Sequence, residues 1–349
     1  MQRIALGRKS IGGMANGYWL RRALLGLLLG AGLTAASDGR AEDLLTPSLL
    51  HPLATWTGGT GGGTGILPPA NLANLVDGNT GTTWRASDFS TFQPTPTLSS
   101  PVPFIVTRVE VVASTGGLPD RGAGTIEVMP VGTSDFVSTG VAVPATLSAG
   151  QLWSSNMPSA FQVPLSAIRH NGGHWVEMNE LRFYGKKVDR YLDVTKLGTT
   201  RTNPGAESPA GSLTNGVLED DTSGYNTGGG NPHIIVTDFG AGQRQRVVYV
   251  SMNPNQYWKM PVRAVGTSGD YVLATVRASN LSGDTTGSWA GGTGGQDAPG
   301  HSWVTCAVNG GQPLVMGSAG IGINNYWGEA SEFVVLAIQP AAGTAFNVR

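Results

Sequence analysis

The chain runs to 349 residues, enough for two domains of ordinary size and a leader. Charged residues make up only 13%, about half the usual share, and 52 glycines are about twice the usual share, so turns outweigh solvated helical faces. A formal net charge of -1 excludes charge-driven binding to nucleic acid or an anionic membrane, and a single cysteine, Cys306, excludes an internal disulfide framework.

Residues 1–50 begin with Arg3, Arg8, Lys9, Arg21 and Arg22 and continue into the apolar run 23–36, ALLGLLLGAGLTAA. That run is shorter than the roughly 20 residues of a bilayer span. Basic residues, a short apolar core and small-x-small at Gly39-Arg40-Ala41 form a signal-peptide pattern, with a basic region of normal length if translation starts at Met14. Two readings stay open. One is a cleaved leader with a mature terminus near Glu42, which places the protein in the periplasm or outside the cell. The other is a retained arm that docks on further copies or on other proteins of a phage-like virion, at its surface or tail.

A glycine-rich linker, 58–65, leads to residues 75–84, LVDGNTGTTW. Asp-Gly and Asn-x-Gly are turn chemistry, and Trp84 gives the turn an apolar anchor. Alternating or β-branched runs then predict strands over 101–113, 125–131, 136–143, 161–163 and 175–184, separated by Gly, Pro, Ser and Asn clusters. No stretch after the leader carries a helical apolar period. Spacing of this kind predicts an all-β chain built as a sandwich.

The order DGN-x-x-T-x-W (Asp77, Gly78, Asn79, Thr82 or Thr83, Trp84), an alternating strand, then NELRFYG (Glu180, Leu181, Phe183, Tyr184, Gly185) resembles the discoidin or coagulation-factor type C-like family. That family belongs to the galactose-binding-like jelly rolls. The resemblance covers about a third of the chain and departs from the family pattern over 87–103, a Pro/Thr/Ser run. It implies a non-catalytic sandwich that binds glycans, lipids or protein surfaces through loops at one end. It also implies a structural calcium at the positions of Asp77, Thr82 and Glu180, a set of oxygen donors such as calcium takes.

The polar stretch 188–209 reads as a linker, so the chain divides into 1–50, a discoidin-like sandwich over 51–187, the linker and a second sandwich over 210–349. The second part echoes the first. Leu213-Thr214-Asn215-Gly216 follows the pattern of residues 75–78, and Trp327-x-Glu329-x-x-Glu332 repeats Trp175-x-Glu177-x-x-Glu180. Strands are expected over 246–252, 271–278 and 303–308, with a glycine tract at 283–300.

No catalytic set emerges. Glu177 and Glu180, like Glu329 and Glu332, lie three apart on strands and face opposite sides. The histidines, His51, His170, His174, His233 and His301, lack zinc-site spacing and read as surface or turn residues. Cys306 reads as a small core residue, and Trp84, Trp175 and Trp327 as core plugs. Trp289, Tyr257 and Trp258 sit in or beside turns and are the candidate ligand contacts, since exposed aromatics stack on sugar faces. These features predict a non-enzymatic structural and surface-binding protein whose partner is a glycan or cell-surface polysaccharide. The alternatives are an exported carbohydrate-binding protein and a glycan-active enzyme.

Overall fold

The computed structural model describes residues 42–57, 72–85, 96–116, 122–133, 136–172, 176–202, 216, 225–226, 233–238, 245–254, 259–265, 271–277, 303–307, 314–316, 320–325 and 329–338. The chain divides into units 1–41 and 42–349, and every described residue belongs to the second. Most of the 1–50 leader therefore lies outside the described residues. The fold is all-β and antiparallel.

A nine-stranded sheet holds β1 (Asp43–Leu44), β2 (Thr55–Thr57), β3 (Trp84–Arg85), β4 (Thr97–Ala113), β5 (Gly124–Pro130), β6 (Val137–Val143), β7 (Leu152–Asn156), β8 (Leu165–Gly172) and β9 (Glu177–Lys187). A four-residue helix, α1 (Pro47–Leu50), capped by Thr46, follows β1. The long β4 serves both layers. Its start pairs with β2 and β8, as in Leu98↔Trp56 and Leu98↔Ile168; its end pairs with β9 and β7, as in Val109↔Phe183 and Val111↔Trp153. The β8 register breaks between Ser99 and Phe104, where Pro101 and Pro103 offer no N–H to a ladder. Side chains of both layers, among them Trp84, Phe104, Val109, Ile126, Ile168, Leu181 and Phe183, close one buried core.

Two expectations need correcting. Residues 159–161 form a 3-10 turn in place of a strand, because Pro158 and Pro164 bracket the segment and supply no ladder donors. His170 is no surface residue: it sits in β8, fully buried, and its Nε2–H donates to the Gly122 carbonyl at 2.9 Å. A Cβ on Gly124 would overlap the imidazole, so that glycine makes the room.

Burial without a counter-charge lowers the His170 pKa from 6.5 to about 4. Above pH 6.5 the ring is neutral folded or unfolded, and pH has no effect through it. As pH falls from 6.5 to about 4 the unfolded chain takes up the proton and the folded one does not, so stability drops by about 3 kcal/mol in all; below that window both forms are charged and the loss levels off. Urea midpoints across this range should show the decline, and a flat profile between neutrality and about pH 5 would contradict it.

Among the described residues the second half holds two sheets. One joins β10 (Tyr191–Asp193), β12 (Tyr225–Asn226), β14 (Gln245–Pro254), β17 (Val304–Ala307), β18 (Leu314–Met316) and β20 (Glu329–Ile338). The other runs β11 (Thr199–Thr202), β13 (His233–Asp238), β19 (Gly320–Asn325), β15 (Lys259–Val265) and β16 (Tyr271–Arg277). The stretch read as a linker thus contributes β10 to one sheet and β11 to the other.

The echo in the sequence is an echo in register. In the first half Val106 pairs with Gly185, Arg108 with Tyr184, Val109 with Phe183, Val112 with Glu180 and Ala113 with Met178. In the second, Val247 pairs with Ala337, Tyr249 with Leu336, Val250 with Val335, Asn253 with Glu332 and Pro254 with Ala330. Both ladders slip at the same two steps, after Val106 and Val247 and before Ala113 and Pro254. The opening strands match too. Asp43 and Leu44 face Gly185 and Tyr184, Leu192 and Asp193 face Ala337 and Leu336, and a helical turn follows each strand.

The halves are joined by packing. Val102, Tyr191, Val248, Trp303, Val334 and Leu336 form one buried cluster. Trp303 Nε1–H donates to the Leu53 carbonyl at 2.7 Å, Ser251 Oγ–H to Pro101 at 2.6 Å and Gly132 N–H to Thr305 at 2.8 Å.

Candidate functional site

The turn at 75–84 is built by its own short side chains. Asp77 Oδ1 accepts from Asn79 N–H at 2.7 Å, Asn79 Oδ1 accepts from Gly81 N–H at 3.0 Å, and Thr82 Oγ1 is 2.8 Å from Asp77 Oδ2 and 2.7 Å from the Asn79 carbonyl. Gly78 has φ +76°, in the region where a side chain costs about 1 kcal/mol. The bonds from Asn79 and then Thr82 hold the Asp77 carboxyl below its usual range.

Asn179 fastens this turn to β9. Its Nδ2–H donates to the Thr80 carbonyl at 2.7 Å, and its Oδ1 accepts from the Thr83 hydroxyl at 2.9 Å. Leu181 N–H donates to Leu75 at 2.9 Å, and β3 pairs Trp84 with Met178. Leu75 and Trp84, at the two ends of the turn, are both fully buried. The two motifs read from the sequence therefore close on each other. Asn179, which joins them, was not singled out beforehand, although its place inside NELRFYG was the available signal.

The structure brings Asp77, Thr82 and Glu180 together. Glu180 is buried, its Oε2 is 3.5 Å from Arg182 Nε, and its Oε1 has no hydrogen-bond partner. Burial first, and then the neighbouring Asp77 carboxyl, raise its pKa despite Arg182. Two carboxyls facing each other, one with an orphaned buried oxygen, suit a hard cation that takes oxygen ligands. Among the described residues no three Asp, Glu, His or Cys side chains gather as a metal group, so the remaining donors would be neutral oxygens such as Thr82 Oγ1 and turn carbonyls. Glu177 lies apart from this group, its Oε2 accepting from the buried Ser114 hydroxyl at 3.1 Å.

The second half carries part of the same arrangement. Gly216 has φ +85°, and its N–H donates to Oε1 of the buried Glu332, which holds the position in its ladder that Glu180 holds in the first half. Tyr257, Trp258 and Trp289, the aromatics expected to meet ligand, lie outside the described residues, as do Trp175 and Trp327.

No protein-family model and no curated protein matches the chain. Among solved structures, the chain is similar to an F5/8 type C domain from Bacteroides fragilis, at 13% identity and TM-score 0.32, covering 42% of this chain and 98% of that one. It is also similar to CBM62 of Xyl5A from Clostridium thermocellum, at 16% identity and TM-score 0.31, covering 40% and 96%. A third is the fucolectin of striped bass, Morone saxatilis, at 13% identity and TM-score 0.29, covering 82% and 96%.

Proposed function

We propose that the chain is a non-enzymatic surface-binding protein whose two β-sandwich domains present loops to a glycan or cell-surface polysaccharide. The latch carries this reading: the two motifs through which the sequence resembles the discoidin-like family close on each other, through Thr83 and Trp84 of the turn against Asn179 and Met178 of β9. A turn clamped in this way gives neighbouring loops a rigid base, and loops on rigid scaffolds are where binding residues concentrate. Trp289, Tyr257 and Trp258 are the proposed contacts. An array of bacterial and animal glycans should retain the chain, and Trp289→Ala should weaken retention by roughly tenfold. Failure to bind any glycan would remove this function.

The proposed setting is the surface or tail of a phage-like particle, with residues 1–50 as the anchor. One observation favours export instead. The unit that holds the sandwiches begins at Glu42, directly after the small-x-small pattern, and β1 starts one residue later. Intact-mass measurement of the native protein decides between them: a terminus near Glu42 supports export, and a retained Met1 in assembled particles supports the anchor.

Calcium is the proposed structural ion, held by Asp77, Thr82 and Glu180, where it would neutralise the facing carboxyls and stiffen the turn. Adding Ca2+ to chelator-stripped protein at a hundredfold excess over Kd should stabilise the fold by about 2.7 kcal/mol. Glu180→Gln should abolish the response. Melting curves indifferent to both calcium and chelator would exclude the ion.

A further inference from the structure

Where the two halves meet lies a cavity of about 220 Å3, lined by His51, Leu53, Asp193, Lys196, Glu332 and Val334, among others. It is a product of the joint. His51 and Leu53 come from the turn after α1, Asp193 and Lys196 from the strand and helical turn that open the second half, and Glu332 and Val334 from β20. We propose that this cavity binds a single sugar ring, a neutral hexose or a polyol of that size, separately from the loops.

The chemistry starts at His51. Its Nδ1 accepts from Leu53 N–H at 3.1 Å, so the neutral ring carries its proton on Nε2. That N–H faces Asp193 Oδ2 at 3.6 Å, beyond hydrogen-bond length. The other oxygen, Asp193 Oδ1, is already engaged by Thr195 N–H at 2.9 Å and by the Thr195 hydroxyl at 2.6 Å. Oδ2 and the His51 N–H therefore form an acceptor and a donor too far apart to satisfy each other and close enough to meet adjacent groups of one ligand.

Around the wall the Lys196 ammonium adds a further donor, while the Glu332 carboxylate, whose Oε1 already accepts the Gly216 N–H, adds negative charge. A hydroxyl, which both donates and accepts, answers every one of these groups, and a ring of hydroxyls answers them together. Two carboxylates against one ammonium disfavour an anion. Pro52, Leu53 and Val334 supply the apolar side that a sugar's C–H face needs. Size agrees as well: a cavity of about 150 Å3 holds benzene, so 220 Å3 admits a six-membered ring with its substituents. The His51 and Asp193 side chains are 12% and 27% exposed, sheltered from water yet reachable.

The test uses the full chain and free D-glucose, D-galactose and D-mannose, each titrated into the millimolar range. The ring C–H signals of His51, assigned by their loss in His51→Ala, are followed by NMR. At least one sugar should shift them saturably. Asp193→Asn keeps the Oδ1 acceptor for Thr195 but turns the Oδ2 position into a donor, and should weaken that sugar roughly tenfold or more while leaving the melting curve in place. Silence of the wild-type His51 signals toward all three sugars overturns the proposal, whatever the variant does. So does a shift that Asp193→Asn leaves unchanged. The glycan array judges the loops independently: retention with His51 silent removes the cavity alone, and a His51 response without retention removes the loop reading alone.

Discussion

Trp84→Ala should lower the stability of the fold by about 3–5 kcal/mol, the usual cost of deleting a fully buried large aromatic. Trp84 has no exposed surface, belongs to the core shared by both layers, and sits in the short β3 that ties the turn to Met178 on β9. The substitution removes a core plug and the turn's anchor together. Its indole N–H is buried and has no partner, so the nitrogen adds nothing to stability and carries a desolvation cost. Trp84→Phe should therefore cost far less than the alanine variant, about 1 kcal/mol, because it keeps most of the ring and discards the orphan donor. Urea midpoints of the two variants separate these effects. If phenylalanine proves as damaging as alanine, the indole nitrogen has a role that this packing does not account for.

Asn179→Asp should destabilise by about 3–5 kcal/mol at neutral pH although its shape is unchanged. The change replaces the donor that meets the Thr80 carbonyl with an oxygen, and buries a negative charge next to Glu180 and near Asp77. pH provides the signature. Burial and like charges raise the folded-state pKa of the introduced carboxyl above its unfolded value. As pH falls through that raised value the folded chain gains the proton first, and the gap to wild type should narrow. His170 acts on both proteins and cancels in the difference. A gap that stays constant down to about pH 4 would mean that the latch does not depend on this amide.

The latch was legible because it is chemically local: Asp77, Gly78, Asn79 and Thr82 are turn residues, and Trp84 is an anchor, whatever the fold. The long β4 strand could be read as well, since its apolar alternation spans both prolines, although its start at Thr97 could not. Other features depend on partners distant in the chain. β7, Leu152–Asn156, is a short strand with only Leu152 and Trp153 apolar, set in place by Val109 and Val111 opposite it. His170 looked like a turn residue because Asn171-Gly172-Gly173 follows it; only the Gly122 carbonyl and the space at Gly124 make it a core histidine. The glycine of NELRFYG is a subtler case. A Cβ on Gly185 would overlap the Ile105 carbonyl, yet the second half places Ala337 in the same register. That glycine answers local packing in the first half and is not required by the bulge beside it. The junction cavity was beyond reach, since it joins His51 to residues more than a hundred positions away.

A ladder register that recurs in a second half would ordinarily suggest a portable part, one that can be cut out, moved or multiplied without harm to its neighbour. The joint described above removes that freedom. Trp303 is fully buried beside Val102 and Tyr191 while its nitrogen holds the Leu53 carbonyl, so severing the halves would strip cover from an indole on one side and from Leu53 and Val102 on the other. Neither piece would inherit a finished surface. Residues 42–349 form one unit, and any shortened version made for study should keep them together.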